Sequence, residues 1–104
     1  MNDNVFQRNT ALSRFKERVV NEHTMEKIEI YGRPGCAYCS MVKRLFDSKQ
    51  VAYRYYDVYV EPSRMQELRS RTNGRSFPQV FINEISMGGF EEILTLDRQQ
   101  RLPI

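Results

Sequence analysis

The segment IEIYGRPGCAYC, residues 28–39, decides the fold of this chain. It begins with a short apolar run, 28–31, continues through a glycine-containing loop, and ends with Cys36 and Cys39, the only two cysteines. The apolar residues that follow have the spacing of a helix. A strand, a loop, a CxxC pair and a helix in this order are typical of a thiol–disulfide redox site in a reducing compartment.

A metal site and a purely structural role both suit the cysteine pair less well. A protein zinc site needs four ligands, and one cysteine pair with His23, the only histidine, cannot complete it within one chain. In the structural role, the two cysteines would be buried as small hydrophobic residues. Chance seldom places the only pair of a chain at the start of a helix, so we predict a redox-active pair and no metal site.

Composition and charge narrow the class of protein. The chain has 104 residues, enough for one domain whose hydrophobic core needs no disulfide cross-links. Sixteen basic and thirteen acidic residues are interspersed, giving a formal net charge of +3, which predicts a mixed solvated surface and no nucleic-acid site. The apolar runs are too short for a membrane span, and no secretory signal follows Met1. We expect a cytoplasmic monomer.

Residues 1–24 differ in pattern from the rest of the chain. Three apolar residues at helical spacing predict a partly helical extension: Leu12, Phe15 and Val19. A transit peptide is the alternative, but such peptides are poor in acidic residues, and this segment has three: Asp3, Glu17 and Glu22. We therefore expect an extension that packs on the domain or on a partner, followed by one domain, 25–104.

The domain has the predicted element order βαβαββα. The predicted strands are 28–31, 51–58, 79–82 and 85–87. The predicted helices are 38–49, 62 to about 74, and 90–98. The first helix should turn four residues inward: Met41, Val42, Leu45 and Phe46. A right-handed crossover makes the first two strands parallel, and Asn83-Glu84 suits a tight antiparallel hairpin. The prediction is an α/β fold with a mixed four-stranded sheet.

Cys36 is the predicted nucleophile. A free thiol has a pKa of about 8.5, and the thiolate is the attacking form. Unpaired N–H groups and the macrodipole favour an anion at a helix N-terminus. Cys36 stands at that end with Arg33 three residues before it, so we expect the pKa of its thiol to be lowered toward the range of about 3.5–7.5. Cys39, one turn further along, is the predicted buried, resolving thiol.

Three segments together resemble the glutaredoxins, the glutathione-dependent oxidoreductases of the thioredoxin fold. They are YGRPGCAYC (31–39), SFPQVFI (76–82) and GGFEE (88–92). Their order and spacing match that family over about three quarters of the chain, and the later two segments distinguish it from the thioredoxins, which also have CxxC. The resemblance implies a thioredoxin-like fold and a dithiol active site of the CxYC type.

The resemblance also implies roles for single residues. Cys36 would form a mixed disulfide with glutathione, Tyr38 would line the substrate groove, and Arg33 would bind the glycine carboxylate of glutathione. Phe77, before a proline that is cis in the family, Pro78, would pair its backbone with the cysteine moiety. The γ-glutamyl end would be held by the last segment: Gly89, the Phe90 backbone and Glu91. Disulfide-bonded or glutathionylated proteins would be the clients.

This chain departs from the family pattern at four places. Arg33 replaces lysine, Ala37 replaces the proline between the cysteines, Glu91 replaces aspartate, and Ser76-Phe77 replaces threonine-valine, which would enlarge one wall of the groove. Family members with a small residue at the position of Ala37 include binders of a [2Fe–2S] cluster.

Two alternatives to the reductase therefore stay open. The first is a dimer that shares a [2Fe–2S] cluster through Cys36 and glutathione. The second is a thioredoxin-like electron donor, although the chain has no tryptophan and carries the Gly-Gly-x-acid-acid segment. Three further arginines have two interpretations, a basic rim that binds acidic glutathione or partner proteins and a solvated helix face. The second is preferred for all three: Arg69, Arg71 and Arg75.

Overall fold

Seven elements make up residues 26–104, the part of the chain that this computed structural model describes. The strands are β1 (Ile28–Gly32), β2 (Arg54–Asp57), β3 (Gln79–Ile82) and β4 (Ile85–Gly88). The helices are α1 (Ala37–Ser48), α2 (Pro62–Arg71) and α3 (Phe90–Arg98). The predicted order βαβαββα is confirmed, whereas the predicted extension, 1–24, lies outside the described residues. Among residues 26–104, no helix has the length and apolar character needed to cross a bilayer.

The four strands form one mixed sheet in the order β2-β1-β3-β4. β1 is parallel to β2, with Ile30 opposite Tyr55, and antiparallel to β3, with Ile30 opposite Val80. β3 and β4 form the antiparallel hairpin. Both predicted strand relationships are confirmed. Because β1 and β2 are parallel, their carboxyl ends lie at the same edge of the sheet, and the loop with the two cysteines follows β1 at that edge.

Side chains of β1 alternate between two core layers, as the period of a strand requires. Ile28 and Ile30 face α1 and α3, in a layer completed by Val42, Phe46, Val51, Val80, Ile82 and Ile93. Tyr31 faces α2, in a layer completed by Tyr56, Val58, Leu68 and Phe81. Burying one large apolar side chain contributes about 1.5–3 kcal/mol. The sheet is thus covered on both faces and forms a rigid support for the loops at its edges.

A hairpin turn closes the end of the sheet opposite the cysteine loop. Asn83 and Glu84 both have positive φ, 53° and 72°, which is the conformation of a type I′ turn. The turn is bonded to the residue before β1: the Lys27 N–H donates to Asn83 Oδ1 at 2.9 Å, and the Asn83 N–H donates to the Lys27 carbonyl at 2.8 Å. These two bonds fix the point at which the chain enters the sheet.

The inner face of α1 differs from the prediction at one residue. Met41 is 43 % exposed. The buried residues of the helix are Cys39, Val42 and Phe46, at i, i+3 and i+7, and this stripe leaves Met41 at its margin.

The bounds of two elements differ from the prediction by more than one residue. β2 covers only part of the predicted 51–58, because Arg54–Asp57 are the residues that pair with β1. α2 ends at Arg71, before the predicted end near Gly74, because Thr72 already has an extended backbone.

Candidate active site

Cys36 is the N-cap residue of α1. Its backbone is extended, and its Sγ accepts a hydrogen bond from the Cys39 N–H at 3.1 Å. The first turn of α1 contains no acidic residue, so no carboxylate there competes with the sulfur for the helix N-terminus. An N–H donor and the positive end of the macrodipole therefore both favour a thiolate at this atom when the pair is reduced.

The two cysteines are joined by a disulfide, with their Cα atoms 5.2 Å apart. Cys36 is half-buried, whereas only 1 % of Cys39 is exposed. An incoming thiol or disulfide can reach the sulfur of Cys36 much more readily than that of Cys39. This difference in exposure is what the predicted roles of attacking and resolving thiol require.

The Phe77–Pro78 turn lies against the cysteine pair. The peptide bond between these two residues is cis, and the Phe77 carbonyl oxygen is 3.7 Å from Cys36 Sγ. Pro78 is fully buried. The Phe77 side chain is half-buried and packs against the core layer under α2, so only part of the ring is left to form a groove wall. The contact of the turn with the sulfur is through the backbone carbonyl of Phe77.

Gln79 supports the turn from the interior. Its Nε2 donates to the Ser76 carbonyl at 2.8 Å and lies 3.3 Å from Ser76 Oγ. Gly74 packs on the same amide, and a Cβ at Gly74 would come within 2.8 Å of its nitrogen and oxygen. No role for Gln79 was predicted from the sequence. The sequence feature that could have indicated this role is a glutamine at the start of an otherwise apolar strand.

Two glycines bring the N-terminus of α3 to the same place. Gly88 has φ +88°, a conformation that glycine adopts without a Cβ penalty. Gly89, the N-cap of α3, is buried, and a Cβ there would lie 3.1 Å from the Pro78 carbonyl oxygen. The Gly89 N–H donates to Glu92 Oε1 at 2.9 Å. An acid three residues after the N-cap is the capping-box position, which could have identified Glu92 from the sequence.

Tyr38 and Phe90 stack on each other between the N-termini of α1 and α3. Their ring centroids are 4.8 Å apart and the ring planes differ by 6°. Tyr38 is 52 % exposed, whereas Phe90 is half-buried and packs against the core layer under α1 and α3. With this stack, the contacts and chain connections form a closed circuit of predicted site residues: Cys36, Phe77, Pro78, Gly89, Phe90 and Tyr38.

Two charged site residues are near this circuit along the chain, and we call them its rim charges: Arg33 is three residues before Cys36, and Glu91 directly follows Phe90. Arg33 is exposed, and its Nη1 donates to the neighbouring Pro34 carbonyl at 3.3 Å. Glu91 is exposed in the first turn of α3 and borders a groove of about 490 Å³ beside β4. The other residues of that groove are Ser86, Met87, Glu92, Thr95 and Leu96. The circuit and its two rim charges contain every predicted site residue except the buried Cys39.

Arg71 belongs to the interior, so both sequence interpretations of it, a basic rim and a solvated helix face, were wrong. Its side chain is only 17 % exposed, and it donates to Tyr31 Oη at 2.8 Å and to the buried carboxylate of Glu29 at 3.0 Å. Tyr56 Oη also donates to Glu29, at 3.1 Å. Burial raises the pKa of Tyr31 to about 12, while its hydrogen bond with Arg71 acts in the opposite direction.

The circuit around Cys36 defines a thiol–disulfide oxidoreductase site on a thioredoxin-like fold. A sequence model of the glutaredoxin family matches residues 28–86. Glutaredoxin 1 of Rickettsia bellii is 34 % identical over 87 residues, which are 80 % of this chain and 89 % of that protein. Glutaredoxin 3 of Escherichia coli is 30 % identical over 73 residues, 70 % of this chain and 88 % of that protein.

Solved structures agree. The crystal structure of a buckwheat glutaredoxin–glutathione complex matches with a TM-score of 0.67 at 27 % identity, over 76 % of this chain and 74 % of that one. The solution structure of glutaredoxin from Brucella melitensis matches with a TM-score of 0.62 at 32 % identity, over 73 % and 83 %. This chain belongs to the glutaredoxin family, and its redox-active pair is Cys36 and Cys39.

Proposed function

We propose that this glutaredoxin uses glutathione to reduce glutathione mixed disulfides and protein disulfides, with Cys36 as nucleophile and Cys39 as resolving thiol. The observation that carries the proposal is the arrangement at the N-terminus of α1. The sulfur of the half-buried residue Cys36 accepts the N–H of Cys39 at 3.1 Å, and Cys39 itself is 1 % exposed. Such a site stabilises the thiolate of one cysteine and shields the other.

On a glutathionylated protein, one sulfur is sufficient. The Cys36 thiolate attacks the glutathione sulfur, a Cys36–glutathione disulfide forms, and the client leaves as a thiolate that takes up a proton. The thiolate of a second glutathione then attacks the glutathione sulfur of that mixed disulfide. Oxidised glutathione is released, and the Cys36 thiolate is regenerated.

On a protein disulfide, both cysteines are needed. Cys36 attacks one sulfur of the client, and a mixed disulfide between the two proteins forms. Cys39, deprotonated as it attacks, displaces the client and closes the Cys36–Cys39 disulfide. Two glutathiones reduce this disulfide in two exchange steps and leave as oxidised glutathione. The client gains the two electrons that the two glutathiones lose.

The circuit supplies suitable partners for each part of glutathione. The Phe77 backbone, next to Cys36 Sγ, is suited to pair with the cysteine moiety. Arg33 offers a planar fork to the glycine carboxylate. Glu91 can pair with the γ-glutamyl ammonium and the Phe90 N–H with its carboxylate, since the Gly89 N–H is already bonded to Glu92. The similar buckwheat structure, a complex with glutathione, supports this choice of ligand.

We place the activity in the cytoplasm. Glutaredoxins have reduction potentials of roughly −200 to −230 mV, near the roughly −220 to −260 mV of the cytosolic glutathione pool. At this poise glutathione can drive reduction of the Cys36–Cys39 disulfide. Disulfide-bonded and glutathionylated proteins are the proposed clients of the monomer.

Reduction of a glutathionylated peptide, coupled to glutathione consumption, tests the proposal with three proteins. The wild type should be active, Cys36→Ser should be inactive, and Cys39→Ser should keep most of its activity, because glutathione itself resolves the mixed disulfide. On a protein disulfide Cys39→Ser should lose activity. Equal losses in the two variants on the glutathionylated peptide would contradict the assigned roles.

A second candidate function, binding of a [2Fe–2S] cluster, is favoured by Ala37. This residue is exposed and directly follows Cys36, where a proline ring would stiffen the loop and remove an N–H. One chain is insufficient: within residues 26–104 no three His, Cys, Asp or Glu side chains are placed to hold a metal, and Cys39 is buried. Two chains and two glutathiones would supply the four sulfurs that a cluster needs.

Anaerobic reconstitution with iron, sulfide and glutathione, followed by size-exclusion chromatography, tests this second candidate. A coloured dimer is expected for the wild type, and Ala37→Pro should suppress it. A colourless monomer in both proteins would eliminate cluster binding and leave the reductase as the only proposed function.

A further inference from the structure

We propose that Phe90 is a positioning residue that holds the ring of Tyr38 in one orientation beside Cys36. The held ring forms a preorganised wall for the glutathione part of a mixed disulfide. The proposal rests on the proposed function and refines its specificity: disulfides that contain glutathione gain from the stack, and disulfides without glutathione do not.

The geometry of the two rings is the first support. Tyr38 is the second residue of α1, lies between the two cysteines, and is 52 % exposed. An aromatic side chain so exposed would ordinarily exchange between rotamers. Here one face of the ring lies parallel to Phe90 at a centroid distance of 4.8 Å. Stacking on one face restrains the ring and leaves the remainder accessible to a ligand.

The anchoring of Phe90 is the second support. A residue can position another only if it is itself fixed. Phe90 is the first residue of α3, directly after the buried N-cap Gly89, and its side chain packs against the core layer that includes Ile93. Its ring is therefore held by the core and by the helix start, whereas Tyr38 gains its restraint from Phe90.

The place of the stack in the circuit is the third support. It joins the N-terminus of α1, which holds the reacting sulfur, to the N-terminus of α3, proposed to bind the γ-glutamyl end. A glutathione with its sulfur at Cys36 and its γ-glutamyl group at Glu91 would span this circuit, with the Tyr38–Phe90 stack on one side and the Phe77–Pro78 turn on the other. A wall that is already ordered lowers the conformational entropy that binding costs.

The expected consequence is a change in affinity rather than in chemistry. Aromatic pairing of about 0.5–1.5 kcal/mol corresponds to a change of about two- to tenfold in an equilibrium constant. The polar contacts of the Cys36 sulfur are the Cys39 N–H and the Phe77 carbonyl, and the stack supplies neither of them. Loss of the stack should thus raise KM for glutathionylated substrates and change kcat little.

Three variants and two matched substrates test the proposal. The substrates are one peptide carrying a mixed disulfide with glutathione and the same peptide carrying one with 2-mercaptoethanol. Phe90→Leu keeps an apolar side chain on the core and should raise KM about two- to tenfold on the glutathionylated peptide only. Phe90→Tyr should restore wild-type KM. Ile85→Ala, which truncates an apolar side chain 62 % exposed on β4, is the control and should change neither KM.

Two further measurements separate this proposal from the proposed function. In the reduced wild type, nuclear Overhauser contacts should join the Tyr38 and Phe90 rings and be lost in Phe90→Leu. S-methylglutathione cannot react, so its Kd measures binding independently of turnover. This Kd should rise in Phe90→Leu. An inactive wild type would overturn the proposed function alone, since this Kd still reports on the wall.

Any of five results would overturn the positioning role, and the first four concern Phe90→Leu or the wild type. In Phe90→Leu, an unchanged KM and Kd or an equal rise of KM on both peptides would do so. A lower KM in that variant would do so as well, because the stack would then obstruct the groove. The fourth result is the absence of ring–ring contacts in the wild type. A rise of KM in Phe90→Tyr equal to that in Phe90→Leu would likewise remove the stack as the cause.

Discussion

Arg33 and Arg71 are two arginines in opposite surroundings. Arg33 is exposed at the edge that holds the reacting sulfur, and it donates to the carbonyl of its neighbour Pro34. Arg71 is enclosed, with Nη1 on Tyr31 Oη and Nη2 on the Glu29 carboxylate. The first guanidinium is available to a ligand, whereas the second neutralises a charge that the core has buried.

This contrast divides the domain into two regions. The catalytic edge consists of the circuit around Cys36 with its rim charges, Arg33 and Glu91. The buried network consists of Glu29, Tyr31, Tyr56 and Arg71. Substitutions at the catalytic edge should alter glutathione chemistry at nearly constant stability. Substitutions in the buried network should alter stability first.

The largest effect is expected at Arg71. Arg71→Met removes the cation hydrogen-bonded to the buried carboxylate of Glu29 and leaves it only the Lys27 ammonium, 4.0 Å away; breaking a buried pair costs about 3–5 kcal/mol of unfolding free energy. Urea unfolding measures the loss. Arg33→Met, the matched control, should change stability by no more than about 0.5 kcal/mol. The double variant Glu29→Gln/Arg71→Met should recover part of the loss, and comparable losses at Arg33 and Arg71 would remove the contrast.

The buried network should also weaken in alkali. Burial raises the pKa of Tyr31 to about 12, against about 10 for an unfolded tyrosine. Above pH 10 the unfolded chain loses this proton while the folded chain keeps it, so stability falls as pH rises, by about 2–3 kcal/mol at pH 12. Urea unfolding of the oxidised protein between about pH 9 and pH 12, the range that these pKa values set, measures this loss of stability. Tyr31→Phe should lessen the decline without removing it, because burial also raises the pKa values of Tyr53 and Tyr55. An identical slope in this variant would contradict the role of Tyr31.

At the catalytic edge, Glu91→Gln should weaken glutathione recognition. A hydrogen bond to a charged group contributes about 1.5–3 kcal/mol, and the exposure of Glu91 places the effect at the lower end, about tenfold in KM for glutathione. A small disulfide lacking the γ-glutamyl group should show little change in KM. Urea unfolding of the variant should match the wild type. A uniform loss on both substrates would remove Glu91 from the site.

The smallest effect is expected at Arg33. In the reduced protein, Arg33→Ala should raise the midpoint of the Cys36 thiolate titration by no more than about one pH unit, because solvent screens an exposed cation. The ultraviolet absorbance of the thiolate reports this midpoint, and Arg33→Lys should restore it. An unchanged curve in Arg33→Ala would mean that the end of α1 stabilises the thiolate without help from Arg33.

Local patterns in the sequence predicted much of the fold. The apolar run 28–31, the apolar stripe after Cys39 and the Asn83-Glu84 pair are each determined within a few residues, and they led to the parallel first pair of strands and the antiparallel hairpin. The bounds of β2 were harder to predict, because Val51 is buried by the core although it does not pair with β1. An apolar run in the sequence does not show whether its residues pair in a sheet or are only buried by the core.

Long-range pairing explains what the sequence did not predict. Arg71 lies 42 positions from Glu29, and only the packing of α2 on the sheet brings the two charges together. The stack of Tyr38 on Phe90 likewise depends on α1 and α3 starting at the same edge. The cysteines of the site were predictable because their motif is local. The support given by Gln79 and Phe90 was not, because it depends on the folded arrangement.

The paired hydrogen bonds between Lys27 and Asn83 have a practical consequence for handling this enzyme. β1 runs from that end of the sheet toward Cys36 through five residues, roughly 16 Å of extended chain. A dye, an affinity tag or a solid support attached ahead of Glu26 would join the domain at the end remote from the sulfur. Oriented immobilisation through this end should leave Cys36 facing the solution, where it can exchange with disulfides in a mixture.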